Sequence, residues 1–169
     1  NLATNLTYIH IPGLLQEVMS YYFRDVNKPP VAKAPAGTIL ANLALKPGNS
    51  FNALVKDLSF KNVLLDASIS NVSRDSAVKI NITGDEVQLG TNKIDNISGR
   101  IDGTADSLLL VLKADTIKAS NFLLYDPLVK AGFSQYNISA GISSNDAAKK
   151  QQYGIGITAA QSPDKQTYN

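Results

Sequence analysis

The chain has 169 residues, 44% hydrophobic and 18% charged, with net charge +2, 11 glycines, seven prolines, one histidine and neither cysteine nor tryptophan. A chain of this length suits one domain burying about two-thirds of its unfolded surface, and it is too apolar and too weakly charged for wholesale disorder. Lack of cysteine excludes a disulfide framework, a thiolate zinc site and a cysteine nucleophile, and the scattered charges give nucleic-acid binding no electrostatic support.

No run approaches the roughly 18 apolar residues that cross a bilayer, and Asn1-Leu2-Ala3-Thr4-Asn5 lacks the basic start of a leader. The first residue is not methionine, so the sequence reads as a piece of a longer chain rather than a mature product. The whole is expected to be a single β domain with one helix.

After Ile9-His10-Ile11, Pro12 and Gly13 open an amphipathic helix over about 13–24. Leu14, Val18 and Tyr22 form one apolar column and Leu15, Met19 and Phe23 a second, with Gln16, Glu17, Ser20 and Arg24 on the polar side. Pro29-Pro30 prevents continuation, and 24–37 reads as a Pro/Ala/Lys loop. From Thr38 the apolar period becomes two. Runs at Ile39–Leu45, Val63–Ile69, Val78–Ile82, Val87–Leu89, Ile97–Ile101, Leu108–Leu112, Ile117–Ala119, Tyr136–Ile142 and Ile155–Ile157 read as strands. Turns are expected at Lys46-Pro47-Gly48-Asn49, Gly84-Asp85, Gly90-Thr91-Asn92, Asp102-Gly103 and Ser144-Asn145-Asp146. The expected fold class is therefore all-β: a curved, mostly antiparallel sheet forming an open trough or a β-sandwich, with the β-rich part over 38–160 and a disordered tail over 161–169. Three hairpin-like units beginning at Ile69, Ile101 and Ile138 suggest a faint repeat with irregular spacing.

Catalytic patterns fail on geometry. Ser76-Ala77-Val78-Lys79 matches a serine–lysine dyad, but positions three apart on a strand point to opposite faces. Gly154-Ile155-Gly156-Ile157-Thr158-Ala159 resembles a dinucleotide loop, yet it lies within an alternating strand with no helix after it. Asp102-Gly103-Thr104 reads as a hairpin turn, and the carboxylate pair Asp85-Glu86 as a solvated turn. His10, the only imidazole, reads as a strand-end surface residue. No catalytic residue, metal site or cofactor is expected, and the chain is read as a non-enzyme.

The strands carry Ser, Thr, Asn and Lys on one face and Ile, Leu, Val and Ala on the other, with 7% aromatics in the whole chain. Such a face suits an ordinary core or a sheet curved around something soft, such as acyl chains. The run Ile97-Ser98-Gly99-Arg100-Ile101-Asp102-Gly103-Thr104-Ala105-Asp106-Ser107-Leu108-Leu109-Leu110-Val111-Leu112-Lys113-Ala114-Asp115 resembles the AsmA-like and TamB proteins of Gram-negative envelopes, especially those of Bacteroidetes. So do Asp57-Leu58-Ser59-Phe60-Lys61-Asn62-Val63 and Asn5-Leu6-Thr7-Tyr8-Ile9. The likeness is one of texture over about 38–160. It implies an open, β-taco-like trough with an aliphatic interior, lying in the periplasm and serving phospholipid transport or outer-membrane assembly. The expected partners are then phospholipid acyl chains and outer-membrane assembly proteins, with no nucleic acid.

On that reading Leu65, Ile69, Ile80, Ile82, Ile101, Leu108, Leu110 and Leu112 line a lipid groove, and the helix caps one end. The competing reading is a cell-surface β-sandwich adhesion or interaction module, with a dry core and binding loops at 24–37 and 144–152.

Overall fold

The computed structural model describes residues 1–22, 31–47, 55, 57–73, 75, 77–134 and 137–160. Its strands are β1 (Leu2–Thr4), β2 (Thr38–Leu45), β3 (Leu58–Lys61), β4 (Val63–Ser70), β5 (Val78–Leu89), β6 (Asn92–Gly103), β7 (Ser107–Lys113), β8 (Thr116–Ala119), β9 (Phe122–Ser134), β10 (Asn137–Asn145) and β11 (Gln151–Ala160). All eleven belong to one antiparallel sheet, so the all-β expectation holds.

The order is β1-β2-β4-β5-β6-β7-β9-β10-β11. β3 prolongs the line of β4 along β5, and β8 prolongs β7 between β6 and β9. β1 and β11 end the order without pairing to each other, so among the described residues the sheet is open. No second sheet is formed by the described residues.

The repeat is more regular than the sequence suggests. Val78, Leu108 and Ile138 stand level across the sheet, through Gly103 and Phe133, and each lies thirty residues after the last. Turn chemistry recurs at the same interval: Gly90 (φ +59°) and Ser120 (φ 49°) each open a two-residue hairpin loop, closed by Leu89↔Asn92 and Ala119↔Phe122. Left-handed backbone is what such tight loops need. At the opposite end, Thr104 Oγ1 accepts hydrogen bonds from the N–H groups of Asp106 and Ser107, so the hairpin turn lies at 104–106, just past Asp102 and Gly103, which were expected to form it and instead end β6.

A second row crosses the sheet. Asn62, Asp85, Asn96, Asp115 and Asp126 lie level by register, with Asn145 one step off opposite Tyr125, and Asn62, Asn96 and Asp126, on alternate lines of the sheet, adopt left-handed φ of 50°, 50° and 46°. Asn and Asp tolerate that conformation better than other side chains. Their side chains pair across strands: Asn62 Nδ2 donates to Asp85 Oδ2 (2.7 Å), Asn96 Nδ2 to Asp115 Oδ2 (2.6 Å) and Asn145 Nδ2 to Asp126 Oδ2 (3.1 Å).

This row corrects the expected turns. Gly84-Asp85 and Asp85-Glu86 sit inside the single strand β5, not in a turn, because the neighbouring strands carry the same irregularity at the same level and pairing continues beyond it. The apolar set changes parity there, from Ile82 to Val87 in β5 and from Ile97 to Ile94 in β6.

The helix α1 spans Ile11–Ser20, after a 3-10 turn at Tyr8–His10. It starts two residues earlier than expected, with Pro12 in the first turn where a missing N–H is harmless. His10 therefore occupies the helix N-cap position, exposed, rather than a strand end. The end is also earlier: the Tyr21 N–H bonds back to Val18 and Met19, and residues 23–24 of the expected helix lie outside the described residues. So do 24–30 of the 24–37 loop and the whole 161–169 tail.

Leu14 and Val18 are buried, but Leu15 and Met19, expected to form a second apolar column, are exposed, and Glu17, assigned to the polar side, is buried. The carboxylate can be there because its acceptor sites are used. Its Oε2 accepts from the Ala34 N–H (2.9 Å) and Asn71 Nδ2 (2.8 Å), and Oε1 from the Tyr21 hydroxyl (3.4 Å). The buried face thus turns toward Glu17 and ties the helix to the segment before β2 and to the end of β4.

Candidate functional site

Residues that alternate along paired strands share a face, so the register decides which side chains meet. All eight expected groove residues lie on one face. Ile69 and Leu108 belong to the level Ile39–Ile69–Val78–Gly103–Leu108. Ile80, Ile101 and Leu110 belong to the next level on that face, Ala41–Ala67–Ile80–Ile101–Leu110–Ala131–Ala140–Ile157. Leu65, Ile82 and Leu112 belong to the third, Leu43–Leu65–Ile82–Gly99–Leu112–Val129–Ile142–Ile155.

The eight do not share one environment. Leu14 and Val18 of α1 form a cluster with Ile39, Ala77 and Val78, against which Ile69, Ile80, Ile101 and Leu108 pack. Those four groove residues lie under or beside the helix. Leu65, Ile82, Leu110 and Leu112 continue the face away from it. Gly99 is the low point between them: a Cβ there would run into Leu112 Cδ2 at 2.5 Å and Ile82 Cγ2 at 2.6 Å, so the flanking side chains close over a glycine. Gly103 likewise leaves room for the Tyr22 hydroxyl, whose pKa burial pushes up to about 12, with help from the neighbouring Tyr21.

Beyond the helix the face opens progressively. Ile142 is 45% exposed, Ile155 67% and Ile157 68%. Sequence reading missed part of this surface, because β9 contributes Val129 and Ala131 from a run broken by Asp126-Pro127. Its signal was the thirty-residue interval, which places Phe122–Ser134 opposite the pattern of Asn92–Gly103 one repeat earlier.

The other face is more polar, although Leu40, Leu109 and Val111 also lie on it. Lys79 and Asp102 share one level, Asn81 and Arg100 the next, and Arg100 Nε lies 3.3 Å from Asp102 Oδ2. Past the Asn/Asp row, Lys93 Nζ bridges Glu86 (2.8 Å) and Asp95 (2.9 Å), and the Thr116 hydroxyl donates to Asp95 (2.8 Å). Hydrogen bonds to Glu86 and Asp95 hold the Lys93 ammonium above the ordinary lysine range, and Lys93 followed by Thr116 holds the Asp95 carboxyl below its ordinary value.

Among the described residues no group of three or more His, Cys, Asp or Glu side chains is placed to hold a metal ion. Ser76 of the serine–lysine pattern lies outside the described residues, and Gly154–Ala159 is part of β11, the strand expected there. Among the described residues no helix is long and apolar enough to cross a membrane. The candidate site is therefore the aliphatic face that these levels form. No family model, curated protein or solved structure matches the chain.

Proposed function

We propose that the aliphatic face is a non-enzymatic binding surface for lipid acyl chains, and that the chain is a segment of an AsmA- or TamB-like periplasmic conduit serving phospholipid transport or outer-membrane assembly. The observation that carries this reading is the pair of eight-strand apolar levels ending in Ile155 and Ile157, which nothing in the described structure covers beyond α1. Aliphatic side chains give acyl chains non-directional contacts that cost little to slide along, and burial of apolar area supplies the affinity at roughly 25 cal/mol per Å². Large exposed apolar patches are characteristic of interaction sites, which supports this reading. The helix caps one end of the band, so lipid enters over β7–β11.

The cell-surface sandwich reading requires a second sheet on this face, and a single open sheet gives it less support. The test places a photoreactive residue at Leu112 or Ile142 on the apolar face and at Asn81 on the polar face, in protein incubated with phospholipid vesicles. Adducts with lipid at the first two positions and not at Asn81 are expected. Folded protein with no lipid adduct at Leu112 or Ile142, or with equal labelling of both faces, contradicts the reading.

A further inference from the structure

Four of the eight groove residues, Ile69, Ile80, Ile101 and Leu108, pack against the cluster that α1 forms with the sheet. The apolar face does not stop at the helix. Leu108 pairs with Phe133 and Phe133 with Ile138, so the level beneath α1 runs on into β9 and β10 beside the levels of Leu110 and Leu112. An acyl chain following that level from β10 toward β2 arrives at the space that Leu14, Val18 and Tyr22 fill. Gly103 marks the overlap, because its missing side chain leaves that position on the level to the Tyr22 hydroxyl.

Three features set α1 apart from a permanent cover. Leu14 and Val18 are its only fully buried apolar side chains. Its polar attachment runs through one carboxylate, that of Glu17, which accepts from the Ala34 N–H and from Asn71 Nδ2. Its outward side, Pro12, Leu15, Gln16 and Met19, carries no charge, with Met19 50% exposed. A helix that is apolar on both sides loses little when acyl chains replace the sheet around Leu14 and Val18, since apolar burial is non-directional. Because α1 lies between β1 and β2, which pair with each other, it stays tethered when it lifts.

We propose that α1 is a displaceable gate that competes with acyl chains for Ile69, Ile80, Ile101 and Leu108, with Glu17 as its latch. The inference rests on the acyl-chain reading of this face given above. With the helix in place, those four residues are closed to lipid and only the part of the face away from α1 is available. Release of the helix joins the two parts. Lipid that binds beneath α1 selects the released state, so its apparent affinity there is the intrinsic one reduced by the released fraction. Glu17 touches no lipid and acts as a positioning residue by setting that fraction.

Gly13 and Ala34 supply the test. A Cβ on Gly13 would lie 3.7 Å from the Ala34 Cβ, within the roughly 3.5–4.5 Å that a disulfide spans, and the chain has no cysteine to compete. Ala34 is itself held to the end of β4, its carbonyl accepting from Asn71 Nδ2, so oxidised Gly13→Cys/Ala34→Cys pins the helix in place. The full chain is incubated with phosphatidylcholine vesicles whose lipid carries a diazirine in the acyl chain, and adducts are mapped to residues by mass spectrometry. Oxidation should lower adducts at Ile69 and Leu108 about tenfold or more relative to the reduced protein, and leave those at Leu112 and Ile142 unchanged. Glu17→Gln should raise adducts at Ile69 and Leu108 about fivefold or more over wild type while amide protection of α1 falls. Equal labelling beneath α1 in the oxidised and reduced forms, or a Glu17→Gln chain whose helix loses protection without gaining adducts there, overturns the gate while adducts at Leu112 and Ile142 still uphold the acyl-chain reading. Absence of adducts at all four positions overturns both.

Discussion

The two ends of the aliphatic face have similar side chains and opposite fates. At the β2–β7 end, Ile39 and Val78 join Leu14, at 0% exposure, and Val18 of α1 in the buried core, and Ile69 and Leu108 pack against it, partly buried. At the β10–β11 end, Ile142, Ile155 and Ile157 alternate just as regularly and remain open. Alternation therefore marks which residues share a face, whereas coverage depends on what is packed over them. In this molecule one ten-residue helix makes that difference.

The comparison breaks most directly at Leu14. Leu14→Ala removes a fully buried side chain and leaves a cavity between α1 and the sheet, and should cost roughly 2–5 kcal/mol in the denaturant midpoint. Ile157→Ala, the same kind of truncation on the open end, should cost about 1 kcal/mol or less. Equal losses at the two positions would mean that the β11 end is covered after all.

Glu17 tests how the covering is held in place. Its carboxylate accepts hydrogen bonds from Ala34, Asn71 and Tyr21, and a glutamine side chain in its place would offer one acceptor oxygen instead of two. Glu17→Gln should destabilise the protein by roughly 1–3 kcal/mol, because the charge-assisted hydrogen bonds from Ala34 and Asn71 become neutral ones and an amide N–H replaces the acceptor oxygen at the Tyr21 hydroxyl. The distinguishing measurement is amide exchange: protection should fall at Ala34 and in α1 while β9–β10 pairing is unchanged. A uniform loss across the whole sheet would show that the helix and sheet open as one unit.

The sheet was legible in the sequence because period-two alternation survives wherever one face is apolar, as in Ile39–Leu45 and Leu108–Leu112. The register that gathers the eight groove residues follows from the same pattern. What escaped was lost for three identifiable reasons. β9 carries the Asp126-Pro127 break, and the Asn/Asp row shifts apolar parity in every strand it crosses, which made Gly84-Asp85 look like a turn. Glu17 looks solvent-facing because its hydrogen-bond partners, Ala34 and Asn71, lie 17 and 54 residues away. The open state of the β10–β11 end depends on the absence of a covering element in the described structure, and local alternation is silent about that.

The smallest expected effect lies in the polar cluster beyond the Asn/Asp row, where stability comes from charge rather than apolar burial. Asp95 is held below its ordinary pKa, first by the hydrogen bond from Lys93 and then by Thr116. A depressed folded-state pKa means that the folded protein binds the proton less readily than the unfolded chain. The contribution is therefore present above the ordinary aspartate range and fades as pH falls through the folded value. Lys93 is shifted the other way, so its share is intact below the ordinary lysine range and fades only as pH rises past its own raised value. Between those limits the pair is charged and pH-independent. Both partners are partly exposed, so salt weakens them, and the effect should fall well below that of Leu14→Ala. Titrating the Asp95 carboxyl by NMR should find its midpoint below that of an ordinary aspartate, and Lys93→Met should raise it more than Thr116→Val does. The reverse order would make the threonine hydroxyl, rather than the ammonium, the group that holds this end of the sheet's charge pattern.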